Sequence, residues 1–144
     1  MKLKVLDVAP AIFISNVSEH LKSNDKVELP IDHDIIKTGS GREMPPMNKD
    51  WYYIRSASIV RLLCRDSLKP SSTGLTVKFF AKRYGNIKNR GVRPNKHVPA
   101  DAKIITKILN DLKKSNWVVE EDGKYKLSSL GIEELHQIIE KMID

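Results

Sequence analysis

Residues 51–65, WYYIRSASIVRLLCR, restrict the possible folds of this chain more than any other stretch. Ten of the fifteen are apolar: Trp51, Tyr52, Tyr53, Ile54, Ala57, Ile59, Val60, Leu62, Leu63 and Cys64. On a helix advancing about 100° per residue, those ten cover most of the circumference. Ser58, Arg61 and Arg65, with Arg55 at the margin, leave a polar strip of about 120°. A helix apolar on nearly every side must be enclosed by other elements. The run therefore predicts a central helix with one cationic stripe kept at the surface. Its aromatic and β-branched content would also suit a strand, but fifteen residues without Gly or Pro exceed the usual strand length. Asp50 is placed to cap the helix, behind a loop closed by Pro45 and Pro46.

A chain of 144 residues is long enough to enclose such a helix, and a single domain over residues 1–144 is expected. Apolar residues make up 40% and charged residues 30%, a globular balance rather than a disordered one. The one cysteine, Cys64, lies on the central helix, so an internal disulfide is excluded and a buried structural thiol is expected. No signal-peptide pattern opens the sequence and no apolar run reaches the length of a membrane span. An intracellular location without a membrane partner is the expectation, which makes the Asn16-Val17-Ser18 sequon a chance match.

The net charge of +7 becomes informative once it is located. Residues 67–100 hold eight cations, Lys69, Lys78, Lys82, Arg83, Lys88, Arg90, Arg93 and Lys96, and no Asp or Glu. The rest of the chain has 17 basic against 18 acidic residues. A merely solvated surface mixes its signs, whereas a block of one sign marks a region that faces a polyanion.

In chain order, Asp7 can cap a helix running to about Lys22, with Val8, Ala11, Ile12, Ile14, Val17 and Leu21 as its inner face. His20 near its end reads as a surface residue. Residues 23–50 are loop-rich, with an extended stretch at 26–30 and a helical turn near Ile35 and Ile36. Gly39 and Gly41 are not followed by the Gly-Lys-Ser/Thr of a phosphate loop. His33 beside Asp32 and Asp34 lacks a second His or Cys and reads as a solvated cluster, not a metal site. After the central helix, residues 70–74 form a turn and residues 75–84 a short helix. Val77, Phe80, Ala81 and Tyr84 face inward on it, and Lys78, Lys82 and Arg83 outward. Phe79 fits either a second core contact or an exposed stacking platform.

Residues 85–99 show no periodicity and are expected to form a long basic loop, with Tyr84 at its mouth able to stack an unpaired base. Asp101 caps the next helix, to about Ser115. Ile104, Ile105, Ile108, Leu109 and Leu112 form its buried stripe, and Lys103, Lys107, Asn110 and Lys114 its opposite face. That face is either a second phosphate-contacting row or an ordinary solvated one. Two β-prone runs about Asp122-Gly123 predict a hairpin over about 117–127. Ser128 or Ser129 then caps a last helix with Ile132, Leu135, Ile138, Ile139 and Met142 inside.

The fold class is thus mostly α, a helical bundle around the central helix with a winged-helix-like second half. One alternative function is a winged-helix DNA-binding transcriptional regulator. Against it, some fifteen residues separate the two helices that a helix-turn-helix joins by about 3–4. No carboxylate pair, Ser/His/Asp set or metal-ligand spacing is present, and His20, His33, His97 and His136 are scattered, so no enzyme, cofactor, metal or small-molecule substrate is expected.

Three blocks carry a family resemblance. Asn48-Lys49-Asp50-Trp51-Tyr52-Tyr53-Ile54-Arg55-Ser56-Ala57-Ser58 with Arg61-Leu62-Leu63 resembles the central-helix signature of small-subunit ribosomal protein nineteen of archaea and eukaryotes. Lys82-Arg83-Tyr84-Gly85-Asn86-Ile87-Lys88-Asn89-Arg90-Gly91-Val92-Arg93-Pro94 resembles its basic segment. The tail from Trp117 through Gly123 to Gly131 resembles its hairpin and final-helix opening. Asn86 departs from the family's second glycine, and Pro99 and Thr106 stand where arginine is common, which reads as a divergent lineage rather than a different function.

The resemblance implies a structural protein of the head of the small ribosomal subunit. It would bind ribosomal RNA beside neighbouring subunit proteins and support assembly and late RNA maturation. Its location would be cytoplasmic, with a nucleolar stage in a eukaryote. The resemblance points to Arg55, Arg61, Arg65, Lys82, Arg83, Lys88, Arg90 and Arg93 as RNA-binding residues. Lys78, Tyr84, Asn89, Lys96, Lys103 and Lys107 complete the candidate RNA-binding set.

Overall fold

The computed structural model describes residues 8–24, 50–68, 74–100 and 102–143. The expectations for 26–30, for Ile35 and Ile36, for His33 and its acidic neighbours, for 70–73, and for the Asp7 and Asp101 caps lie outside those residues. Among them the chain forms α1 (Pro10–Ser23), α2 (Trp51–Ser67), α3 (Val77–Arg83), β1 (Asn86–Arg90), β2 (Arg93–Val98), α4 (Ala102–Lys114), β3 (Val118–Glu121), β4 (Lys124–Leu127) and α5 (Ser129–Ile143).

The central run is helical, as its length requires, and two residues longer than expected. Trp51, Tyr52, Ala57, Ile59, Val60, Leu63 and Cys64 are buried along it. Full burial of a side chain such as Ile59 or Leu63 contributes about 1.5–3 kcal/mol, enough to override the β propensity of the run. Ser56, also wholly buried, returns its hydroxyl to the Tyr52 carbonyl at 2.8 Å, so no polar atom is stranded there. Asp50 stands at the N-cap position without a capping side-chain bond. Its carboxylate instead meets Lys22 Nζ at 3.1 Å, tying the end of α1 to the start of α2.

Against α2 packs α1, which opens on Pro10, where a missing N–H costs nothing. Its buried positions are Phe13, Val17 and Leu21, one per turn. The expected stripe was out of phase at its start: Ile12 is 53% exposed and Phe13 wholly buried. Ala11, Ile12, Phe13 and Ile14 are consecutive apolar residues, so the docked partner chooses the phase and the sequence pattern cannot. His20, expected at the surface, is half-buried and stacks on Trp117 with ring centroids 5.8 Å apart.

The second half follows a winged-helix order built on α2, α3 and α4. Leu75 exchanges two backbone hydrogen bonds with Tyr125, at 3.0 and 2.8 Å, and so adds a short third strand to the β3–β4 hairpin. That hairpin turns through Asp122 and Gly123 at φ 51° and 75°, the positive pair of a type I′ turn. On α4 all five expected stripe residues are buried. Ser128 accepts a hydrogen bond from the Gly131 amide at 3.1 Å and is the cap of α5. A Cβ on Gly131 would stand 2.5 Å from the Trp117 carbonyl oxygen, so only glycine lets α5 start this close to β3.

Residues 85–99 are not a loop. β1 and β2 pair antiparallel, Asn86 with Val98, Ile87 with His97 and Lys88 with Lys96, around a tip at Gly91-Val92. Gly91 supplies the positive φ, 72°, that a primed two-residue turn needs at its first central position. The alternation that marks a half-buried strand is missing, and on β2 Arg93, Pro94, Lys96 and His97 are all exposed. It occupies the place where a helix-turn-helix has its short turn.

Candidate nucleic-acid interface

The polar strip of α2 does not face open solvent. Arg55, Ser58 and Arg61 are half-buried, and only Arg65 is exposed. Tyr84, at the C-terminal end of α3, lies over the strip. Its hydroxyl shares a short hydrogen bond with Ser58 Oγ, and the Arg55 guanidinium sits 4.2 Å from the ring centroid. Burial raises the Tyr84 pKa above the usual phenol value. The Ser58 bond and the positive charges of Arg55, Arg83 and Arg61 act in the opposite direction and are outweighed. The Arg55 guanidinium of α2 thus meets the Tyr84 ring where α3 passes into the basic hairpin.

The outer face of α3 carries Lys78, Lys82 and Arg83, all exposed, as expected. Thr76 caps this short helix, accepting the Phe79 amide at 3.1 Å. Phe79 is 43% exposed, which resolves its two readings toward the surface. Arg93 and Lys96 are exposed on β2; Lys88, Asn89 and Arg90 belong to β1. Gly85 fits where a Cβ would stand 2.4 Å from the Val98 carbonyl oxygen, so the base of the hairpin closes tightly behind Tyr84. Among the described residues, Lys78, Lys82, Arg83, Arg93 and Lys96 enter no ion pair. A surface with several uncompensated cations and no carboxylate between them is suited to an array of phosphates.

The row on α4 divides. Lys103, Asn110 and Lys114 are exposed and line a shallow groove with Ala102 and Thr106. Lys107 is committed to structure. Its Nζ lies 3.0 Å from Asp111 Oδ2 and 5.2 Å from the Tyr52 ring centroid, while the Tyr52 hydroxyl donates to the same carboxylate at 3.2 Å. Asp111 is the buried carboxylate that sequence reasoning missed. Its i,i+4 spacing from Lys107 was the available signal.

Among the described residues no group of three or more His, Cys, Asp or Glu could hold a metal ion, and no helix is long and apolar enough to cross a membrane. Cys64 is buried with its thiol pushed up to about 12, which keeps it protonated and unreactive.

A family model described as Ribosomal protein S19e matches residues 4–144. The small ribosomal subunit protein eS19 of Encephalitozoon cuniculi is 42% identical over 138 residues, covering 96% of each chain. Its counterpart eS19A of Saccharomyces cerevisiae is 35% identical over 144 residues, covering 99% of this chain and 96% of its own. The eS19 protein of Oryza sativa is 36% identical over 135 residues, covering 93% and 88%.

Proposed function

This chain belongs to the ribosomal protein S19e family, and on that premise we propose that it is a structural constituent of the small ribosomal subunit that binds ribosomal RNA in the subunit head. The proposed contact surface is α3 and the β1–β2 hairpin, backed by Arg55, Arg61 and Arg65 of α2. Each cation neutralises a phosphate, and no catalytic step is involved. Lys103 extends the surface along α4. Seated there, the protein supports subunit assembly and late maturation of the RNA next to its protein neighbours. Its location follows that of the ribosome, with a nucleolar stage in a eukaryotic cell.

One observation carries this reading: residues 67–100 contain no acid, and among the described residues Lys78, Lys82 and Arg83 of α3 and Arg93 and Lys96 of β2 are exposed and enter no ion pair. The winged-helix order favours one other reading, a DNA-binding regulator. The hairpin between α3 and α4 argues against it, because it fills the place of the tight turn that sets a recognition helix into a major groove.

Sedimentation of extract from cells expressing the tagged chain separates the possibilities. Migration with the small subunit, lost when the RNA is digested with ribonuclease, is the expected result. A chain that stays in the light fractions, or that remains in a large complex after the RNA is gone, contradicts the proposal.

A further inference from the structure

Of the phenylalanine, tyrosine and tryptophan side chains, all of them among the described residues, only Phe79 is exposed. The others are taken up by the fold. Phe13, Phe80, Trp51, Trp117, Tyr52 and Tyr125 are buried, and Tyr53 is half-buried. Tyr84, the obvious candidate for stacking, has its hydroxyl on Ser58 and the Arg55 guanidinium against its ring. Phe79 is also held firmly. Its amide is bonded to the Thr76 cap, and the wholly buried Phe80 meets its ring edge-on, 5.6 Å between centroids at 78°. That contact orients the ring, and 43% of the residue stays exposed.

The surroundings of that ring specify the occupant. Lys82 and Arg83 stand at i+3 and i+4 from Phe79, on the same face of α3, and Lys78 precedes it. All three are exposed, and none enters an ion pair among the described residues. An apolar protein pocket over Phe79 would have to desolvate these charges without partners, which is costly. An unpaired nucleotide meets both needs at once, with a π-face for the ring and phosphates on either side for the cations.

We infer that Phe79 is a stacking platform for an unpaired RNA base, with Lys82 and Arg83 on the phosphates that flank it. The inference rests on the RNA-binding reading above and adds to it a site that takes a base rather than a phosphate. Stacking of this kind tolerates any base identity, because every base has a π-face.

Two variants test it on the full chain, with a small-subunit rRNA transcript as probe. Phe79→Leu keeps an apolar side chain of similar bulk and removes the π-face. It should weaken binding by about fivefold or more while leaving the salt dependence of the affinity unchanged, since no cation is lost. Phe79→Trp should bind at least as tightly as the unaltered chain. Its exposed indole, distinct from the buried Trp51 and Trp117, should lose fluorescence as a base stacks on it. Thermal melts of both variants establish that the fold is intact. Phe79→Leu binding as well as the unaltered chain, with the Phe79→Trp indole unquenched at saturation, overturns the inference and leaves an apolar protein contact as the use of Phe79. Absence of salt-dependent binding by the unaltered chain would overturn the RNA-binding reading as well, so the two failures are distinguishable.

Discussion

Replacing Tyr84 with phenylalanine would remove one hydroxyl, and with it the bond to Ser58, while leaving the ring against the Arg55 guanidinium. The expected loss of stability is about 0.5–1.5 kcal/mol, the usual net worth of one such bond. Tyr84→Leu removes the ring as well, and urea denaturation should show it less stable than Tyr84→Phe by about 1–2 kcal/mol, the worth of a partly desolvated cation–π contact. Equal losses would mean that Arg55 takes nothing from the ring. Cys64 makes a pH prediction. Its thiol is pushed up to about 12 from 9.0 by burial, with Arg61 acting weakly the other way. Above pH 9 the unfolded chain releases that proton and the folded chain keeps it. The thiol's contribution is therefore complete below pH 9 and lost as pH rises toward 12. Tyr84, raised from 10.0 by burial, acts in the same direction. Melting temperatures of Cys64→Ala should fall less steeply across that alkaline range than those of the unaltered chain; parallel curves would show that the thiol contributes nothing.

Among the elements, those that bury a full face were legible and those that do not were misread. The stripe on α4 was expected residue for residue because its five aliphatic positions meet the core together. The β3–β4 hairpin was legible because Asp122-Gly123 has few other uses. β1 and β2 were missed because their sequences, Asn-Ile-Lys-Asn-Arg and Arg-Pro-Asn-Lys-His-Val, carry no apolar alternation. The start of α1 was misphased for the opposite reason, too many adjacent apolar residues. How tightly the elements close was invisible in the sequence and yields a prediction. Gly131→Ala should destabilise the junction of α5 with β3 by about 1–3 kcal/mol, as overpacking does, because the added methyl meets backbone and not a side chain that can move aside. A melt matching that of the unaltered chain would mean that the junction relaxes. Lys107→Met removes the 3.0 Å ion pair to Asp111, a buried carboxylate to which the Tyr52 hydroxyl also donates. A loss of about 1–3 kcal/mol is expected, with small effect on RNA affinity because this lysine is engaged within the fold.

Two stretches of the chain carry charge predominantly of one sign. Residues 67–100 supply eight cations without an acid, while residues 117–144 hold seven acids against three lysines. The cationic block was legible from charge alone, and with it the expectation of a polyanionic partner. Which side chains are available to that partner was not, because Tyr84 and Lys107 are drawn into the fold by residues distant in sequence, Ser58 and Tyr52. The account depends on the exposed cations of α3 and the hairpin acting as phosphate ligands. The most direct measurement is the affinity for a small-subunit rRNA transcript between about 50 and 200 mM KCl, for the unaltered chain and for a combined Lys82→Gln, Arg83→Gln and Arg93→Gln variant. The account predicts weaker binding by the variant and a slope of log affinity on log salt shallower by about 2–3, close to one unit for each phosphate contact removed. An unchanged slope, with affinity retained across the series, would contradict it.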